Sequence, residues 1–302
     1  MAKIIKLSRA ESRQQWGRRF VIAAPYLFLL LFFSLPFLVV LHISVSEMEG
    51  VRFPALMSYV DGLITLKIKL SNYIFLTSDP LYVETYWSSI KFAGLNTLIC
   101  LFIGYPFAYF MARSPANWRP ALVMLVSLPF WTSYLLRVYA WRGILDDHGI
   151  VNDVLLALHL TANPVRMMYT SFSMMTGMVY TYVPFMILPL YANLVKMDLR
   201  LLEAANDLGA TPWKTFWLVT VPLSKSGIIA GSMLVFIPSL GEYVIPELLG
   251  GPSTLMIGRV LWDEFFSNND WPMASAVAVS MVVLILIPLM IFNKYQNEAE
   301  RA

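Results

Sequence analysis

The chain has 302 residues and a net charge of +3, with 58% of its residues hydrophobic and only 14% charged, and its mean hydropathy is +0.63. A soluble domain is about 45–50% apolar and about 25% charged, so both departures point to a bilayer, which tolerates apolar surface and makes charge costly. The small net charge gives no reason to expect nucleic acid, the lone Cys100 allows no disulfide within the chain, and His42, His148 and His159 are scattered without metal-ligand spacing.

A membrane helix needs about 20 apolar residues to cross about 30 Å of hydrocarbon. Four runs meet this without any charge, at residues 20–41, 92–112, 167–195 and 271–293. Two shorter runs join them. Residues 120–136 continue past Arg137 into Val138, Tyr139, Ala140 and Trp141, and residues 226–241 meet Glu242 before continuing through Tyr243 to Pro246. Helices this apolar on every face predict an all-α membrane protein of six spans. The first run follows a basic stretch, as a secretory signal does, but it is too long and lacks a small-x-small cleavage pattern, so a retained anchor is expected.

Lysine and arginine set the orientation. With the amino terminus inside, the inner segments carry fourteen (Lys3, Lys6, Arg9, Arg13, Arg18, Arg19; Arg113, Arg119; Lys196, Arg200, Lys214, Lys225; Lys294, Arg301) and the outer segments six (Arg52, Lys67, Lys69, Arg142, Arg166, Arg259). Both termini are therefore expected in the cytoplasm. The expected layout is a cytoplasmic segment 1–19, a six-helix domain 20–293 and a tail 294–302. Every span holds proline: Pro25 and Pro36, Pro106, Pro129, Pro184 and Pro189, Pro238, and Pro288. Proline is common in membrane helices, but kinks in all six favour a bundle that moves.

The cytoplasmic loop at about 196–225 has its own structure. Asp198 suits an N-cap and Gly209 the left-handed residue that ends a helix, which predicts a helix near 199–208; Thr211 and Pro212 restart the chain as N-cap and first helical residue. Leu201, Ala204, Ala205 and Leu208 make a narrow apolar stripe. It fits a groove on another protein, or it packs on the chain's own helix ends; the pattern leaves both open.

Glu203, Ala204, Ala205, Gly209 and Pro222 carry a family resemblance. With Val219 and Val221 replacing Ile and Leu, the loop resembles the Glu-Ala-Ala motif of bacterial ABC-importer permeases. The segments starting at Pro129 (Pro-Phe-Trp-Thr-Ser), Arg137 (Arg-Val-Tyr-Ala-Trp), Gly241 (Gly-Glu-Tyr-Val-Ile-Pro-Glu-Leu-Leu-Gly-Gly-Pro) and Asp270 (Asp-Trp-Pro-Met-Ala-Ser-Ala) are similar to the putrescine/spermidine permeases, the putrescine type above all. The resemblance implies a type I importer fold, a second homologous permease, an ATPase dimer on the cytoplasmic face and a periplasmic polyamine-binding protein. It also implies that Glu203 engages the ATPase and Gly209 shapes the turn. The chain has no phosphate loop of its own, so ATP hydrolysis is expected in a partner, and no cofactor is expected.

Candidate contacts for a cationic substrate lie at span ends. Glu242 is about 24 Å along its span, near the outer boundary, and an acid at that depth marks a pathway or pairs with Arg137, which reaches a similar level. Glu247 lies five residues further out. Trp131, Tyr134, Tyr139, Trp141, Tyr180, Tyr182 and Tyr243 offer ring faces to an ammonium, or form an interfacial belt. Tyr180 and Tyr182, two residues apart, do not share a helix face. The long outer connection, residues 42–86, either receives the periplasmic partner or is a solvated cap. An ion-coupled carrier of a cationic solute would need acids near mid-membrane and often an internal repeat, neither of which is evident. A non-transporting scaffold would not need proline in every span.

Overall fold

The computed structural model describes residues 21–48, 57–60, 63–66 and 68–299. The basic segment 1–19, residues Glu49, Arg52, Asp61 and Lys67 of the outer loop, and Arg301 lie outside them. The chain divides into two compact units, residues 1–75 with 269–279 and residues 76–268 with 280–302.

In the first unit, α1 (Val21–Ser44) is a membrane-length helix whose apolar side chains are mostly exposed, as lipid contact requires. It widens into a π turn at Leu30–Ser34, where Leu35 N donates to Leu30 O. Pro36 follows at once. Its ring would crowd the carbonyl four residues back and it has no N–H, and the wider turn absorbs both defects. An antiparallel hairpin, β1 (Met57–Val60) and β2 (Leu63–Leu66), sits in the outer connection and is an addition to the expected all-α architecture. The buried end of α1 is tied down by α2 (Ser71–Ser78), whose Tyr73 hydroxyl donates to Ser44 Oγ at 2.7 Å.

The second unit is built on α3 (Pro80–Arg113), 34 residues and about 51 Å long. It starts twelve residues before the apolar run because Asp79 caps it, accepting from Leu81 N at 2.8 Å, with Pro80 in the first turn. It packs with α7 (Ser171–Leu194) and α10 (Lys225–Leu240). Met186 of α7 is fully buried between two glycines: a Cβ on Gly104 of α3 would lie 3.0 Å from its Cγ, and one on Gly231 of α10 only 2.8 Å from its Sδ. Small residues thus let three backbones approach, the usual device where lipid supplies no hydrophobic drive. Two buried polar contacts join α3 to α10: Asn96 Nδ2 donates to Ser239 Oγ, and Tyr105 Oη meets Ser224 Oγ, both at 2.8 Å.

Four helices among the described residues are long and apolar enough to span, and two bent pairs bring the number to six if each is one span. The bends correct the sequence expectation. The third run does continue past Arg137 through Trp141, but it is not one straight helix, since it breaks at Thr132 and Ser133. α4 (Arg119–Ser127) tightens into a 3-10 turn at Leu128–Trp131 and then turns by 88° into α5 (Tyr134–Leu145). Thr132 and Ser133 are extended there, and Thr132 N has only Pro129 O to donate to. A short α6 (Ile150–Ala157) follows. The fifth span is entered through α9 (Pro212–Leu223), bent 66° from α10, and it does not run on through Tyr243: the helix stops at Leu240 and restarts as α11 (Val244–Leu249). α12 (Ile257–Trp262) and α13 (Trp271–Ala299) complete the chain.

Candidate functional site: a buried carboxylate and an exposed loop helix

Glu242 occupies the break between α10 and α11 and is buried. Its Oε1 accepts from the backbone N–H of Tyr243, Val244 and Ile245 at 3.1, 3.0 and 3.4 Å, so the carboxylate serves the free donors of the restarting helix. The same oxygen accepts from Tyr134 Oη of α5 at 2.7 Å, while Tyr182 Oη of α7 makes a short bond to Oε2. One side chain therefore ties three helices. The turn is pressed from behind by α12, where a Cβ on Gly258 would lie 2.5 Å from Gly241 O. Ser173 Oγ of α7 closes the far end of α11 by donating to Leu249 O at 2.7 Å.

Arg137 makes no ion pair with Glu242. Its Cζ stands 5.8 Å from the Tyr134 ring centroid, and its buried Nε and Nη1 have no hydrogen-bond partner. The carboxylate charge is thus held by hydroxyls and amides, and no cation among the described residues is paired to it. Tyr180, half-buried, packs edge-on against Trp141 at 5.5 Å, so the two neighbouring tyrosines do serve different faces. Trp131 is 85% exposed, just before the bend, and Tyr139 is exposed as well.

Further out, Glu247 lies 2.7 Å from Arg259 Nε, an ion pair whose angle makes it no hydrogen bond, and Asp263 lies 4.0 Å from the same nitrogen. Tyr243 stacks on Trp262 at 4.4 Å, and Phe266 lies tilted against Trp262 at 4.1 Å. Sequence reasoning passed over Arg259 and Trp262, which read as parts of an outer loop. It also passed over Asn96, although an amide inside an uncharged run is itself a signal.

On the opposite side of the bundle stands α8 (Arg200–Asp207). Leu199, not Asp198, is the N-cap residue; the Asp198 carboxylate still accepts from Arg200 N at 3.0 Å. The helix ends as expected. Gly209 has φ +83°, Gly209 N donates to Asn206 O at 2.9 Å and Ala210 N to Ala205 O at 3.0 Å, the paired bonds of a left-handed glycine terminus. Leu202, Asn206 and Thr215 line a cleft of about 140 Å³ against Tyr109 and Phe216, so that face belongs to the chain itself. The other face is open: Glu203 and Ala204 are exposed, as are Leu201 at 46% and Leu208 at 89%, while Ala205 lies at the edge. Thr211 Oγ1 caps α9, accepting from Lys214 N at 3.4 Å. Pro222 follows a second π turn, Phe216–Thr220, where Val221 N donates to Phe216 O in the register seen before Pro36.

Residues 15–301 match the family described as binding-protein-dependent transport system inner membrane component. The spermidine/putrescine transport system permease protein PotB of Haemophilus influenzae is 38% identical over 93% of this chain and 95% of its own length. The protein of that name from Escherichia coli K12 is 37% identical over 87% and 92%. Among solved structures, a bacterial alginate ABC transporter in complex with its alginate-pentasaccharide-bound periplasmic protein superposes with a TM-score of 0.70 at 16% identity, over 96% of this chain and 97% of that one. The helical, multi-pass fold is that of ABC-importer permeases, and the chain belongs to the family of binding-protein-dependent transport system inner membrane components.

Proposed function

We propose that this chain is the permease subunit through which an ATP-driven importer moves a polyamine, putrescine or spermidine, into the cytoplasm. The observation that carries the reading is the loop at 196–225. Its helix turns one face to its own bundle and leaves Leu201, Glu203, Ala204 and Leu208 uncovered, as a helix that docks into a partner must. Relatives that share more than a third of their residues over most of both chains carry spermidine and putrescine in their names. In this reading Glu203, Ala204, Ala205, Gly209 and Pro222 form the contact to an ATPase dimer. A second homologous permease completes the pore, and a periplasmic polyamine-binding protein delivers substrate to the outer face. The segments 1–19 and 294–302 are cytoplasmic, and 20–293 is the permease domain.

The substrate path runs past Glu242. Its charge is balanced by no cation among the described residues, and Oε2 has one donor only, which leaves it a free acceptor site for an ammonium group. Tyr134 and Tyr182 flank it, Tyr180 lies along the same bundle, and Tyr243, Glu247 and Trp131 lie nearer the entrance. Uptake of labelled putrescine and spermidine by proteoliposomes holding the assembled complex tests the whole. Transport should require ATP on the cytoplasmic side and fall with Glu203→Ala. Uptake driven by an ion gradient, with no ATPase present, would instead identify a secondary carrier.

A further inference from the structure

Between the end of α3 and the start of α4 lies an open cavity of about 540 Å³. Phe110, Pro115, Trp118 and Leu122 form its walls, and Arg113 and Ser114 are its only polar lining. Arg113 is the last residue of α3, its Cζ 5.1 Å from the Tyr109 ring centroid, and its buried Nη2 has no hydrogen-bond partner. Arg119 joins it, donating through Nε to Ser114 O at 2.9 Å. No carboxylate among the described residues lies within ion-pair distance of either guanidinium. The mouth is apolar: Phe110 is 61% and Trp118 62% exposed.

We propose that this cavity holds the headgroup of an anionic phospholipid from the leaflet on the α8 side. Basic cavities between membrane helices at the cytoplasmic level suit such headgroups, and tryptophan is at home at that boundary. A free phosphate would satisfy the arginines but gain nothing from the apolar walls, whereas acyl chains would cover them. The side of the membrane follows from contacts within the bundle. Tyr105 and Tyr109 of α3 stand edge-on to Phe216 of α9, at 5.5 and 6.0 Å, so this end of α3 lies beside the loop that carries α8. Tyr109 therefore meets both the Arg113 guanidinium and the Phe216 ring. A lipid that fixes Arg113 also steadies the ring on which α9 rests, so its occupancy should support coupling to the ATPase. Lipid retention at the site rests on the membrane-spanning reading alone, while its effect on the ATPase rests on the proposed function.

The test uses the complete importer in nanodiscs of phosphatidylethanolamine, with or without phosphatidylglycerol. After detergent stripping, native mass spectrometry should find one phosphatidylglycerol retained per copy of this chain. Arg113→Gln should retain about fivefold less and Arg113→Lys an intermediate amount. ATPase activity stimulated by the binding protein should rise with phosphatidylglycerol in the wild type and become indifferent to it in Arg113→Gln. Equal retention by wild type and Arg113→Gln would overturn the site. Displacement of the lipid by millimolar inorganic phosphate would reassign it to a free anion and overturn the proposal equally. If Arg113→Gln does not assemble, Trp118→Ala decides, since it keeps the charge and opens the wall: unchanged retention sinks the lipid site.

Discussion

Glu242 shows how much one carboxylate does when a membrane helix breaks. Its buried oxygens take donors from two tyrosines and three amides, groups that would otherwise stand unpaired away from water at a cost of about 1–3 kcal/mol each. Two substitutions separate this structural role from a part in transport. Glu242→Gln keeps an oxygen for the amides and removes the charge, so the complex should melt within about 1 °C of wild type while uptake at limiting polyamine falls about tenfold or more, since a charged partner is worth ~1.5–3 kcal/mol more than none. Glu242→Ala strands these five donors and should lower stability by about 5 kcal/mol or more. Full uptake by Glu242→Gln would remove the residue from the path. The individual members of this cluster, Tyr134, Tyr182 and Glu242, are legible in the sequence as polar groups at membrane depth. Their meeting is not, because they come from helices far apart in the chain. The alternative of a pair with Arg137 rested on equal depth along two straight spans, and the 88° bend before α5 removes that premise.

At the level of elements, local chemistry was the most readable part. The end of α8 depends on residues adjacent in sequence, so Gly209 was identifiable as a left-handed terminus, and it has φ +83°. A Cβ there would meet nothing within 4 Å, so only the backbone conformation demands glycine. Gly209→Val should therefore cost about 1–2 kcal/mol in the loop and weaken ATPase co-purification and uptake together, while Gly209→Asn, which tolerates this conformation, should retain most of both. Normal ATPase recruitment by Gly209→Val would mean that the turn does not set the docking geometry. The breaks were less legible. Hydropathy reports how long an apolar stretch is but not whether it changes direction, and Pro129 and Pro222 read alike although one lies in a 3-10 turn before an 88° bend and the other follows a π turn just before a 66° bend. The hairpin at residues 57–66 was missed for a different reason: its strands are four residues each, too short for an alternating pattern to stand out.

For the whole molecule, length and composition predict six spans, and from the fourteen-to-six bias of basic residues we propose that both ends lie inside. Reporter fusions after Leu202 and at the carboxyl terminus should give cytoplasmic signals, and fusions within residues 63–72 periplasmic ones. A cytoplasmic signal from 63–72 would require a different number of crossings. The spans nevertheless differ greatly in reach. α3, at about 51 Å, would have to tilt by more than 50° to hide in about 30 Å of hydrocarbon, beyond the range membrane helices adopt, so it projects into water. Arg119–Trp131, by contrast, extends only about 20 Å before the chain turns aside. Variation in bilayer thickness therefore leaves α3 indifferent and falls on the corner beside α4, where hydrophobic mismatch is largest. Trp118 and Arg119 stand at the start of α4 as anchors that hold the short helix to its interface, so thinning of the surrounding lipid should centre on α4.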